Sequence, residues 1–242
     1  LKPAALTRHA DAVAARLLDS SAGVRSTALR TLRKLNKVTL TSHADAVVAM
    51  LSDSDYQVRA SALATVGNLK LATLTQHAVV VAAGLEDDDY SVRSAAALAL
   101  RKLKPAVLAD VAVPRLEHSS YEVRIAALRS LRKQALLAQH VVARLDDSEG
   151  SVRYEALDTL GNLEPATLAQ HASALVAMLE DSDWRVRRMA LETLGKLEPA
   201  TLAQHAEAVV ARLEDSVDEV RGEALRTLGT VEPATLAQYT GA

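Results

Sequence analysis

The chain has 242 residues, 28 Lys plus Arg against 30 Asp plus Glu, and no Cys or Phe. The missing Cys excludes disulfides, thiolate catalysis and Cys-ligated zinc or iron–sulfur sites, and a formal charge of −2 argues against general affinity for nucleic acid or membrane surfaces. Nearly half the residues are apolar but only 2% are aromatic, so the core is built from Ala, Leu and Val, which suits close helix–helix packing, and no run of 18 apolar residues offers a membrane span.

The sequence opens at Leu1 rather than Met and reads as a fragment of a longer array. A Val-Arg dipeptide recurs at Val24-Arg25, Val58-Arg59, Val92-Arg93, Val123-Arg124, Val152-Arg153, Val186-Arg187 and Val220-Arg221, with successive spacings of 34, 34, 31, 29, 34 and 34 residues. His9, His43 and His77 keep the same period, as do His171, His205 and Tyr239. The words Leu-Glu-Pro-Ala-Thr-Leu-Ala-Gln-His stand at 163–171 and again at 197–205, and they restart at Glu232. Self-similarity at this period marks a repeat architecture of seven units and the start of an eighth.

In the fourth and fifth units the short spacings place deletions near Val107–Val113 and Leu136–Val142. With Pro114 expected to truncate or kink its helix, they predict a local irregularity in curvature over 104–145. The sixth unit shows the general pattern most plainly. Leu168, Ala172, Leu175 and Leu179 share one helical face, and Pro165 opens that helix. Glu180-Asp181-Ser182-Asp183 supplies turn and N-cap chemistry, and Val186, Ala190, Leu191, Leu194 and Leu197 form a second stripe. Each unit is thus helix, turn, helix, with no alternating strand pattern. Neither helix buries its stripe alone, so units must stack, and at helix spacings of roughly 8–10 Å seven make a rod about 60–70 Å long. The chain 1–242 is expected to be a single such array.

Asp stands six residues before Arg in Asp19–Arg25, Asp53–Arg59, Asp87–Arg93, Asp147–Arg153, Asp181–Arg187 and Asp215–Arg221, and His118 replaces it before Arg124. One pair per unit suits a stack better than a catalyst. The histidines have no second His three or four residues away, so they read as packing residues rather than metal ligands. Tyr56, Tyr90, Tyr121 and Trp184 share the turn slot two residues before the repeated Val and are expected to cover the turn. Second-helix positions can vary without harming the core. One such column reads Arg30, Ala64, Leu98, Arg129, Asp158, Glu192 and Arg226. Residues 1–133 carry 19 basic and 12 acidic residues, and residues 134–242 carry 9 and 18. Basic residues at helix ends serve the helix dipole, or the asymmetry orients a partner.

The Asp-x5-Arg pattern followed by an Ala-Leu-x2-Leu helix resembles HEAT repeats over the whole chain. The Asp-Ser-Asp-x2-Val-Arg wording resembles their phycobilisome-lyase-like subclass. This resemblance implies an all-α, right-handed α-solenoid of stacked two-helix repeats, with second helices lining its concave face. It also implies that the Asp and Arg residues form an inter-repeat ladder together with turn carbonyls. The paired His-Glu motifs of HEAT-like deoxyhypusine hydroxylases are absent, so no oxygenase is expected. The resulting expectation is a non-enzymatic scaffold, without cofactor or metal, that binds another protein through Tyr154, Arg188, Met189, Glu192, Arg129 and Ile125. The subclass resemblance implies an alternative, a bilin lyase or chaperone. Phosphate-backbone binding by the basic half is a further alternative, but nucleic acid finds few stacking aromatics there. Partner identity, compartment and oligomeric state are not legible.

Overall fold

The computed structural model of the chain describes residues 7–230. Among them all regular structure is helical. The expected eighth unit, with Glu232, Leu236 and Tyr239, lies outside the described residues.

Each repeat carries one long helix: Ala22–Leu32, Tyr56–Val66, Tyr90–Leu100, Tyr121–Ser130, Gly150–Leu160, Trp184–Leu194 and Asp218–Leu228. Local chemistry sets their starts. Asp55 accepts the Gln57 and Val58 N–H groups, Asp89 those of Ser91 and Val92, and Asp183 that of Arg185, which satisfies donors a helix start leaves unpaired. Pro105, Pro165 and Pro199 open the preceding helices, where a missing N–H costs nothing.

The first helix of most repeats is not continuous. In the sixth it comprises Pro165–Ala169, Ala172–Ala177 and a 3-10 turn, Met178–Glu180. The break falls at His171, with φ −115° and ψ 10°, and its N–H bonds the Leu168 carbonyl three residues back. His43, His77 and His205 stand at equivalent breaks. The apolar face survives the break: Leu168, Ala172, Leu175 and Leu179 are all buried. Side chains before and after His171 stay in phase, so both short helices press on the same core.

The shortened repeats adjust their first helices. Pro105–Ala112 runs unbroken, followed by a 3-10 turn, Val113–Glu117, that contains Pro114 near its start. In the fifth repeat a 3-10 turn, Ala135–Leu137, and the short helix Ala138–Val142 replace the longer pair. Lys133 before them has φ 67°, the one non-glycine positive φ among the described residues, a conformation that is uncommon outside Gly, Asn and Asp.

The described residues form two compact units that divide between Ser130 and Leu131. In the first, each of the long helices Ala22–Leu32, Tyr56–Val66, Tyr90–Leu100 and Tyr121–Ser130 packs against the next. In the second, Gly150–Leu160, Trp184–Leu194 and Asp218–Leu228 do the same. This is the α-solenoid fold class: successive repeats bury one another's stripes, with Leu29, Leu63, Leu100, Leu128, Leu157 and Leu191 at most 1% exposed. Each such leucine contributes about 1.5–3 kcal/mol of burial.

Candidate functional site

Arg25, Arg59, Arg153 and Arg187 each hold the aspartate of the following repeat, 28 residues on. Arg25 donates from Nε and Nη2 to Asp53 at 2.7 and 2.8 Å, and Arg59 does the same to Asp87 at 2.7 and 2.8 Å. In the second unit Arg153 binds Asp181 at 2.6 and 2.7 Å, and Arg187 binds Asp215 at 2.7 Å through both nitrogens. The aspartate six residues before each arginine takes part through its main chain: Arg187 Nη1 donates to the Asp181 and Ser182 carbonyls at 2.9 and 3.4 Å. Arg221 donates to the Asp215 carbonyl at 2.7 Å. Planar two-point pairing of this kind is the strongest geometry available to a guanidinium.

Each ladder carboxylate also fixes its own turn. Asp53, Asp87, Asp181 and Asp215 accept the N–H two residues on, as do Asp19 and Asp147. The arginine hydrogen bond, opposed in part by burial, holds Asp53, Asp87 and Asp215 below the usual aspartate range. Two further cross-repeat bonds recur. The buried Thr65, Thr193 and Thr227 hydroxyls donate to the Leu29, Leu157 and Leu191 carbonyls at 3.2, 3.4 and 3.1 Å. Arg115 pairs with Glu86 at 2.8 Å and Arg212 with Glu180 at 2.9 Å. Neither was expected from the sequence, although a Thr followed two residues on by Gly recurs at Thr65, Thr193 and Thr227.

The third repeat differs. Its Arg93 keeps the carbonyl bonds to Asp87 and Asp88, at 2.7 and 2.8 Å. The ladder position in the fourth repeat, however, is His118, 25 residues on instead of 28. His118 performs the local half of the aspartate's work, its Nδ1 accepting the Ser120 N–H at 3.1 Å, but an imidazole offers no carboxylate. Beside Arg93 lies a cleft of about 200 Å³ walled by Tyr90, Tyr121, Glu122, Ile125 and Arg129. The Arg129 guanidinium lies over the Tyr90 ring, 5.5 Å from its centre, and its Nη1 donates to the Tyr90 hydroxyl at 3.2 Å. Glu122 accepts the Ser120 hydroxyl at 2.5 Å. That bond, with a smaller contribution from the Arg93 charge, holds its carboxyl below the usual range.

The structure therefore brings Ile125 and Arg129 together in this cleft. In the second unit Tyr154 and Arg188 are half-buried and occupy one column of adjacent long helices, with Glu192 one turn further on and 3.7 Å from Lys196. Met189 is corrected. At 4% exposure it lies in the core, because its column packs against the preceding long helix, as Ser61, its equivalent four repeats earlier, does in its 2.9 Å contact with Ser26. The variable column from Arg30 to Arg226 is half-buried or exposed throughout. Of the turn aromatics, Tyr56, Tyr90, Tyr121 and Trp184 are 43%, 60%, 42% and 37% exposed, so they present their rings to solvent as well as covering the turn. His43 and His77 point at Asp11 and Asp45 of the preceding repeat, at 3.6 and 4.0 Å.

Residues 138–229 match the family model of HEAT repeats. Among solved structures the chain is similar to the karyopherin Kap121p, at TM-score 0.66 and 14% identity, over 98% of this chain and 30% of that one. Kap121p bound to Pho4p matches at TM-score 0.62 and 14% identity, over 96% and 30%. An engineered protein matches at TM-score 0.52 and 19% identity, over 98% and 73%. The complex of CpcE and CpcF of phycocyanin lyase from Nostoc sp. PCC7120 matches at 0.47 and 19%, over 92% and 94%. No curated protein matches the sequence.

Proposed function

We propose that this HEAT-repeat protein is a non-enzymatic scaffold that binds a partner protein on the face of its long second helices. The observation that carries this reading is the distribution of polar chemistry. Conserving the stack consumes the ladder residues, whereas Arg129, Tyr154, Arg188 and Glu192 stand at variable positions of the long helices and are only half-buried. Tyrosine and arginine with methylene and ring surface on show are the residue types that dominate protein interfaces. Kap121p, of the same fold class, is seen bound to Pho4p, which supports a protein as the ligand class. One continuous array over 1–242 is part of the same proposal.

The test is affinity capture from the source extract at moderate salt with immobilised 1–242, followed by titration of the purified partner. The variant Tyr154→Ala/Arg188→Ala/Glu192→Ala should lose most of the affinity while its urea midpoint stays near wild type. Unchanged affinity in that variant would remove these residues from the interface.

A further inference from the structure

Arg93 is held as the ladder arginines are held, but without their carboxylate. Its Nη1 is pinned by the Asp87 and Asp88 carbonyls, as Arg59 Nη1 is pinned by those of Asp53 and Ser54. Main-chain anchoring of this kind orients the guanidinium plane before any anion arrives. In Arg25, Arg59, Arg153 and Arg187 the remaining edge, Nε with Nη2, takes both oxygens of an aspartate. In Arg93 that edge donates no hydrogen bond among the described residues, and His118 stands where the aspartate would be.

The surroundings suit an acidic side chain. The cleft at Arg93 has room for a carboxylate with its methylene, at about 200 Å³, and Ile125, Tyr90 and Tyr121 give that methylene apolar walls. Arg129 over the Tyr90 ring adds a second positive charge. Glu122 subtracts one, but its carboxylate is engaged by Ser120.

We propose that the Arg93 cleft receives an aspartate or glutamate side chain of the partner protein, completing from outside the rung that His118 leaves open. The proposal rests on the reading of the long-helix face as a protein-binding surface, and it names the chemistry that one position selects. A partner residue seated here would share the geometry of Asp53, Asp87, Asp181 and Asp215, and Arg93 would supply a fork already oriented for it.

The experiment is a titration of the 15N-labelled full chain with N-acetyl-aspartate N-methylamide, following arginine Nε–Hε resonances. The Arg93 resonance, assigned from its loss in Arg93→Lys, should move and saturate in the millimolar range, while Arg187, already bound to Asp215, stays still. Glu122→Gln should tighten the binding several-fold, because it removes an opposing charge from the cleft wall. A linear, unsaturable drift of Arg93 in step with exposed Arg30 and Arg226 would overturn the proposal. So would a stronger response to methyl phosphate than to the aspartate derivative. Because the probe is a small molecule and the site lies in the first unit, this outcome is independent of partner capture. Failure of the Tyr154/Arg188/Glu192 variant to weaken partner binding would instead count against the wider surface.

Discussion

Arg187 and Arg93 share a sequence context and differ in what they leave behind when removed. Truncating Arg187 to Ala strands Asp215, whose side chain is 3% exposed. An unpaired buried charge of that kind costs about 1–3 kcal/mol, and urea denaturation should show it. Arg93→Ala strands no carboxylate and should cost distinctly less, and equal losses in the two variants would contradict the ladder geometry. Acid acts on the same rungs. Asp53, Asp87 and Asp215 titrate lower in the fold than in the unfolded chain, where aspartate sits at about 3.9. The folded state therefore binds fewer protons, and these rungs stabilise it fully above that value. Their contribution falls as pH drops through the lowered folded pKa values, so the urea midpoint should decline below about pH 4 and change little from pH 6 to 8 on their account. At this scale the sequence showed which residues make the ladder and their spacing within a unit. That the ladder runs between repeats was implied by the HEAT resemblance and not by the spacing itself, since a 28-residue separation becomes a contact only once the stack is built.

The elements are joined by bonds that local periodicity does not reveal. Thr65 donates to the Leu29 carbonyl of the preceding long helix and to the Ser61 carbonyl of its own, at 3.2 and 2.7 Å. Thr65→Val keeps the shape and deletes the donor, so a loss of about 0.5–1.5 kcal/mol is expected in urea denaturation. A neutral result would assign the conserved shape, rather than the hydroxyl, as what this position requires. The stripe of the first helices was fully legible from Leu168, Ala172, Leu175 and Leu179. Their division at His171 was not, because no Gly or Pro marks it and both halves keep one phase. Met189 was misread for a related reason. Its neighbour Arg188 is half-buried, and one residue of helix rotation turns the next side chain into the seam between long helices. Where the deletions and Pro114 fall, the fourth repeat carries an unbroken helix and the fifth a left-handed Lys133.

For the whole molecule, the α-solenoid fold class was visible in the repeat period together with the two helical stripes of each unit, whereas a binding face depends on which columns the stack leaves open. The second-helix columns carry Tyr154, Arg188, Glu192 and the Arg129–Tyr90 pair. The first-helix side also exposes apolar groups, with Val38, Val79 and Leu136 at 65%, 73% and 78% exposure. These two sets compete as contact surfaces, and a charged, aromatic set is the better candidate because its chemistry is directional. The most direct test is hydroxyl-radical footprinting of the chain with and without its captured partner. Partner binding should protect Tyr90, Tyr121 and Tyr154 several-fold and leave Val79 and Leu136 reactive. Protection of Val79 and Leu136 with the three tyrosines unchanged would place the partner on the first helices and contradict the account.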